Sequence, residues 1–258
     1  MKKFRWIAVN LINKVLSAFG LQITVPNTGF WDRDPVFLAL YGKIHSRSLV
    51  KIDRCFMLYQ FAEHASVLPT GDVAQVGVYK GGTAKMIATC FLKTDKRVFL
   101  FDTFEGLPAL SEKDRRESKN ADNIGGTGGM SDDNKVSEGR NQKKQFNDVH
   151  FEEVKKYLAD CPNVEMRKGY FPETARGLEG NKFCFVYLDA DLYQSTKDGL
   201  EFFYPRMVPG GIIMLDDYQT GNWPGVERAV REFHAKHGIY PITTTWWQGV
   251  IICNSYSN

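Results

Sequence analysis

From residue 71 onward the chain alternates short apolar runs with stretches whose apolar residues recur every third or fourth position. "DVAQVGV" (72–78) is an apolar run closed by Gly77 and Val78. "TAKMIATCFL" (83–92) follows, with Ala84, Ile87, Ala88 and Phe91 on one helical face. Further strands are predicted at "RVFLFD" (97–102), "NVEMRKG" (163–169), "KFCFVYLD" (182–189) and "GGIIMLDD" (210–217). The spacing of Leu192, Thr196, Leu200 and Phe203 predicts a helix after the fourth strand. "PGVERAVREFHAKHG" (224–238) predicts another, apolar along Val226, Ala229, Val230, Phe233 and His237 and stopped by Gly238. "IYPITTTWWQGVIIC" (239–253) reads as two strands joined tightly. Strands that alternate with helices imply parallel βαβ units with right-handed crossovers. The last two strands have no helix between them and should form a hairpin.

Elsewhere the pattern changes. Residues 26–70, notably "DRCFMLYQFAEHASVL", read as a helical cap on the sheet. The insert 111–148 is charged, rich in glycine and almost free of large apolar residues, as a lid or a passive loop would be. At the start, Phe4, Ile7, Leu11, Val15 and Phe19 recur at helical spacing, so residues 1–25 predict an amphipathic helix. Three uses stay open for it: packing on this chain or a sister subunit, peripheral contact with the inner face of an anionic membrane, or cleavage as a signal. The expected organisation is thus 1–25, 26–70, and one catalytic domain over 71–258.

Composition narrows the classes. The chain has 258 residues, 43% hydrophobic and 24% charged, enough for one sizeable core. Four of its 33 basic residues (Lys2, Lys3, Arg5 and Lys14) fall in the first 25 positions, which hold no acid. The rest is balanced against 30 acids and offers no basic surplus for nucleic acid. Five scattered cysteines without a C-x-x-C pair fit reduced thiols and a cytoplasmic setting better than a disulfide framework or a zinc site.

Two features carry candidate chemistry. "QVGVYKGGT" (75–83) sits where the first strand turns into the first helix, the place where doubly wound sheets bind ligands. Its glycines match neither the G-x-G-x-x-G dinucleotide fingerprint nor a P-loop. Asp102 ends the second strand, where an acid accepts from ribose hydroxyls or caps a turn. A glycine loop with a ribose acid but no pyrophosphate pattern points to S-adenosylmethionine. The second feature is acidic. Asp189 ends strand four and Asp216-Asp217 end strand five, so the topology makes them neighbours. Carboxylates with water suit Mg²⁺ or Mn²⁺. Asp189-Ala190-Asp191 read alone is also a D-x-D, as in a metal-dependent nucleotide-sugar glycosyltransferase.

Six segments, "GDVAQVGVYKGGTA", "FDTFEGLP", "KGYFPET", "YLDADLYQSTKDGL", "YPRMVPGGIIMLDDY" and "PGVERAVREF", occur in this order over roughly residues 54–253. Together they resemble the macrocin O-methyltransferase family. The resemblance implies an α/β, Rossmann-like class I methyltransferase: a seven-stranded, mostly parallel sheet with its last strand antiparallel and helices on both faces. It implies S-adenosylmethionine bound around Gln75, Gly77, Tyr79, Gly81, Gly82, Thr83 and Asp102. It places a divalent metal on Asp189, Asp216 and Asp217, and a glycoside or glycan hydroxyl as methyl acceptor. Asp191 is the preferred proton acceptor and Tyr193 the other candidate; capping of the following helix is Asp191's alternative role. Gln75 stands where relatives commonly carry an acid, and no histidine follows Asp216-Asp217-Tyr218. His234 and His237 are expected to pack; Trp223, Trp246 and Trp247 could stack on sugar rings, with core or hairpin packing the preferred role. A homodimer through the first helix is the expected assembly.

Overall fold

The computed structural model describes residues 12–21, 29–108, 110–114, 146–244 and 246–254. Its contacts divide the chain into two compact units, Met1–Ala39 and Leu40–Asn258. In the first, residues 12–16 are helical and run into a 3-10 turn, Ser17–Phe19, which Gly20 closes. A second 3-10 turn spans Phe30–Arg33, and helix α1 (Pro35–Ile44) starts after it. Most of the predicted 1–25 helix, and residues 115–145 of the predicted insert, lie outside the described residues.

The second unit is built on seven strands: β1 (Asp72–Val76), β2 (Val98–Asp102), β3 (Val164–Lys168), β4 (Phe183–Leu188), β5 (Met207–Leu215), β6 (Ile242–Thr243) and β7 (Gly249–Ile252). They form one sheet in the order β3-β2-β1-β4-β5-β7-β6. The pairs from β3 through β5 are parallel, whereas β7 runs antiparallel to both β5 and β6. This is the expected doubly wound sheet with a terminal hairpin. Strand β6 is shorter than predicted; Pro241, just before it, has no N–H to pair.

Register decides where the site lies. Val76 pairs with Phe101 and Leu188, Leu188 with Leu215, and Leu215 with Gly249. The next residue on each parallel strand (Gly77, Asp102, Asp189 and Asp216) therefore leaves the sheet at one level. Because β7 is antiparallel, Gln248, just before it, comes to the same edge.

The inner strands are apolar on both faces, as a covered parallel sheet requires. On one face Ala74, Val76, Val186, Leu188 and Ile213 join Leu200 and Phe203 of α5 (Tyr193–Phe203) and Val230 and Phe233 of α6 (Pro224–His237). The other face meets α2 (Ile52–Ser66), which packs on β4, β5 and α3 (Gly82–Cys90). A short helix missed by the periodicity, α4 (Phe151–Tyr157), follows the insert. Phe203 is the hub of the first face. Its ring lies 5.0 Å from Phe183, 5.1 Å from Phe202, 5.4 Å from Phe171 and 6.2 Å from Phe101. Phe203→Ala is expected to lose about 3–5 kcal/mol in urea unfolding. Phe30→Ala, at a ring 86% exposed in the first unit, should stay within about 0.5 kcal/mol.

Candidate active site

The loop after β1 is forced into its shape by close approach. Gly77 has φ +86°, and a Cβ there would lie 1.9 Å from the Asp189 carbonyl oxygen. No L side chain fits that position. Gln75, fully buried on β1, holds the loop from behind: its Nε2 donates to the Gly77 carbonyl at 2.7 Å and to Thr83 Oγ1 at 2.8 Å. Asp102 holds it from the side. One carboxylate oxygen accepts from the Val78 and Tyr79 amides at 2.7 and 2.9 Å, the other from Phe104 at 2.6 Å. Asp102 is thus a loop anchor as well as the acid facing the site. Gly77, Tyr79, Thr83 and Asp102 line the cavity, whereas Gln75, Gly81 and Gly82 support the loop without lining it.

The acids divide differently from their order in the sequence. Asp189, Asp191 and Asp217 each present a carboxylate oxygen, all within 4.8 Å of one another. Asp216 lines the same cavity beside them, with its carboxylate held by two partners. Arg54 of α2 forms an ion pair with its carboxylate and donates to its carbonyl at 2.8 Å, while Gln248 Nε2 donates to its other oxygen at 2.6 Å. Arg54 also reaches Asp217 Oδ1 at 3.0 Å. Of the expected metal set of Asp189, Asp216 and Asp217, the fold brings Asp189 and Asp217 together with Asp191, while the carboxylate of Asp216 in the same cavity is held by Arg54 and Gln248.

Asp191 is free to join Asp189 and Asp217 because the helix cap is supplied elsewhere. Asp114 Oδ1 accepts from the amide of Tyr193, the first residue of α5, at 2.6 Å. Asp191 itself has φ +59°, an unfavourable backbone for aspartate that its surroundings must enforce. Tyr193 does not serve as the second proton acceptor here. Its hydroxyl donates to Glu232 at 2.5 Å and receives Lys113 at 2.6 Å, away from the cavity. His234 and His237 pack as expected, against Tyr240 at 4.4 Å and Phe233 at 4.5 Å.

Three functional residues escaped the sequence reading: Arg54, Asp114 and Gln248. Arg54 did leave a signal, since it shares a helical stripe with buried Leu58, Ala62 and Ala65. A guanidinium on an apolar stripe needs a buried acid. The other two are joined to their partners only by the tertiary fold.

Electrostatics set the three acids apart from ordinary surface carboxylates. Burial, then the neighbouring acids, push Asp189 and Asp191 well above the usual carboxylate range. Asp217 is pushed up to about 6 by burial and Asp216, with Arg54 opposing the rise. Oxygen-only donors carrying uncompensated charge fit a hard divalent ion such as Mg²⁺ or Mn²⁺.

The cavity has a volume of about 1090 Å³, above the roughly 300–1,000 Å³ of a pocket for one small ligand. The glycine loop and Asp102 line one end, the acids the middle, and Thr220, Asn222, Trp223, Trp246 and Trp247 the other. Among the described residues, five non-glycine positions have positive φ; four of them (Tyr79, Phe146, Asp191 and Trp247) line this cavity. Strain is thus concentrated where ligands would bind.

A carboxyl pushed up in the folded state weakens folding once it ionises. For Asp217 the loss develops as pH rises from about 3.8 to about 6 and persists above that. Asp217→Asn, which keeps an acceptor for Arg54, is therefore expected to exceed the wild type in stability by about 1–3 kcal/mol at pH 7.5 in EDTA. The difference should vanish toward pH 4; urea titrations across this range check both points.

Comparison with known proteins supplies the family. Residues 58–252 match the model of the macrocin-O-methyltransferase family, TylF. A tetracenomycin rhamnosyl 4'-O-methyltransferase of Streptomyces olivaceus is 27% identical over 172 residues, 66% of this chain and 60% of that protein. The mycinamicin III 3''-O-methyltransferase of Micromonospora griseorubida is 27% identical over 66% of this chain and 62% of its own. The matched stretch thus spans about three-fifths of these relatives' length. The solved O-methyltransferase NovP shares the fold at a TM-score of 0.61, with 24% identity, 81% of this chain and 82% of that chain covered. With three-quarters of its length inside the family match, the chain belongs to the macrocin-O-methyltransferase family.

Proposed function

We propose that this protein transfers a methyl group from S-adenosylmethionine to a hydroxyl of a sugar carried by a small glycosylated metabolite. One observation carries the reading: a glycine loop without pyrophosphate spacing opens into the same cavity as Asp189, Asp191 and Asp217. The relatives, named as a rhamnosyl-tetracenomycin 4'-O-methyltransferase and a mycinamicin III 3''-O-methyltransferase, support the acceptor class.

S-adenosylmethionine would supply an activated methyl group, and a divalent cation, Mg²⁺ or Mn²⁺, the charge that lowers the acceptor hydroxyl's pKa. The chain does the rest. Gly77, Tyr79 and Thr83 offer backbone and hydroxyl groups to the cofactor, and Asp102 keeps that loop in place while facing the ribose. Asp189 and Asp217 would hold the cation, with Arg54 and Gln248 fixing Asp216 behind them. Asp191, beside the cation-holding acids, accepts the hydroxyl proton. Most of the acceleration comes from holding sulfonium, methyl and oxygen in line.

A glycosyltransferase built on Asp189-Ala190-Asp191 would leave the glycine loop and Asp217 without a role. Incubation with S-adenosylmethionine and a panel of glycosides should give a product heavier by one methylene. EDTA should stop it, and Mg²⁺ or Mn²⁺ restore it. Asp191→Asn should lower kcat about 10²–10⁴-fold with cofactor affinity kept. Tight UDP-sugar binding that S-adenosylhomocysteine does not affect would overturn the reading.

A further inference from the structure

Of the two roles open to the tryptophans, core packing or stacking on a sugar ring, the exposure at the far end of the cavity favours the second. Trp246 and Trp247 are 39% and 55% exposed, and both face the cavity beside Trp223. They sit on the turn between β6 and β7, which is firmly braced. The Thr244 amide donates to the Gln248 carbonyl at 2.8 Å, and the Trp247 amide to the Thr244 carbonyl at 3.1 Å. The Gln219 amide, just after the acid pair, donates to the Trp247 carbonyl at 3.2 Å. Fully buried Gln248 then ties the turn to Asp216 at 2.6 Å. Within this frame Trp247 is held at φ +61°, a conformation that favours glycine. A chain that braces a bulky indole in an unfavourable backbone and leaves it half in solvent gains nothing in stability from it. Such strain marks a functional position.

The ligand follows from the layout. The turn adjoins β7, three strand spacings from β1, or about 14 Å. The cofactor loop is on β1 and the ribose-facing acid beyond it on β2, so the adenine end of the cofactor lies away from the tryptophans. What lies between is the acid trio. A ligand resting on the indoles thus presents itself to Asp217 and Asp191. Indole faces are flat and apolar, with a polar N–H at the edge. They match the C–H face of a pyranose ring, and Thr220 and Asn222 line the same cavity with polar groups for its hydroxyls.

We propose that Trp246 and Trp247 form the platform for the acceptor's sugar ring, set at a fixed distance from the acids by Gln248 and Gln219. The inference rests on the sugar-methylation reading for the hydroxyl's fate, but sugar binding can be measured apart from methyl transfer. The test is saturation-transfer NMR on the full chain with S-adenosylhomocysteine and Mg²⁺. The probes are methyl α-L-rhamnopyranoside, methyl β-D-glucopyranoside and methyl α-D-mannopyranoside, which carry no aromatic aglycone. Irradiation of the indole protons should saturate the ring C–H protons of at least one glycoside. Trp247→Ala and Trp246→Ala should each weaken its affinity tenfold or more, Trp247→Phe should restore most of it, and S-adenosylhomocysteine affinity should not change. Trp247→Gly, which suits φ +61°, should melt above Trp247→Ala and still fail to bind the glycoside. No saturation with any probe, or glycoside affinity within twofold in both alanine variants, overturns the platform. Glycoside binding on the indoles without any methyl transfer would instead overturn the methylation reading and leave the platform standing.

Discussion

Four carboxylates meet at the edge of one sheet with a single guanidinium among the described residues there to offset them. Asp189, Asp191, Asp216 and Asp217 could not share that space as four free charges. Arg54 resolves part of the conflict by pairing with Asp216 and touching Asp217. The remainder is left as raised carboxyl pKa values on Asp189, Asp191 and Asp217. A protein organised only for stability would replace such a cluster with apolar residues. This one surrounds it with supports, from Arg54 on α2 to Gln248 before β7 and Asp114 at the start of α5. The cost of the uncompensated charge is what a bound cation would remove.

Sheet register turns that local problem into a site. Since Val76, Phe101, Leu188 and Leu215 lie at one level, the cofactor loop, its acid anchor and the acid pair emerge side by side. The antiparallel β7 adds the tryptophan turn to the same edge. Gly77 lets the loop close against the Asp189 backbone, so the two halves of the site touch directly. Cofactor end, acids and acceptor end are thereby set in sequence across neighbouring strands.

Much of this was legible in the chain. Apolar runs and three-to-four periodicity located the five parallel strands and the longer helices of the second unit, though not α4, because a doubly covered sheet leaves long apolar runs. The antiparallel end followed from the missing helix before residues 249–252. Acids at the ends of adjacent strands were legible for the same reason. How Asp216 is held was not, because its partner Arg54 lies 162 positions away. Capping stayed open as Asp191's alternative role because the residue that bonds the helix's first amide, Asp114, lies far off in sequence. Tyr193 looked available as a base; the fold turns its hydroxyl to Glu232 and Lys113. Gln75 sat in the cofactor motif, yet its place on a covered face makes it a brace for the loop. The tryptophans read as packing because exposure inside a cavity leaves no periodicity to detect.

The central claim is that Asp189 and Asp217, with Asp191 beside them as proton acceptor, form a divalent-cation site at the methyl-transfer position. Electron paramagnetic resonance of Mn²⁺ titrated into the protein with S-adenosylhomocysteine tests it without turnover. The account predicts one bound ion per chain at pH 7.5, with the bound signal lost in Asp189→Asn. A protein that leaves all its Mn²⁺ free, or an Asp189→Asn variant that binds as tightly as the wild type, would contradict it.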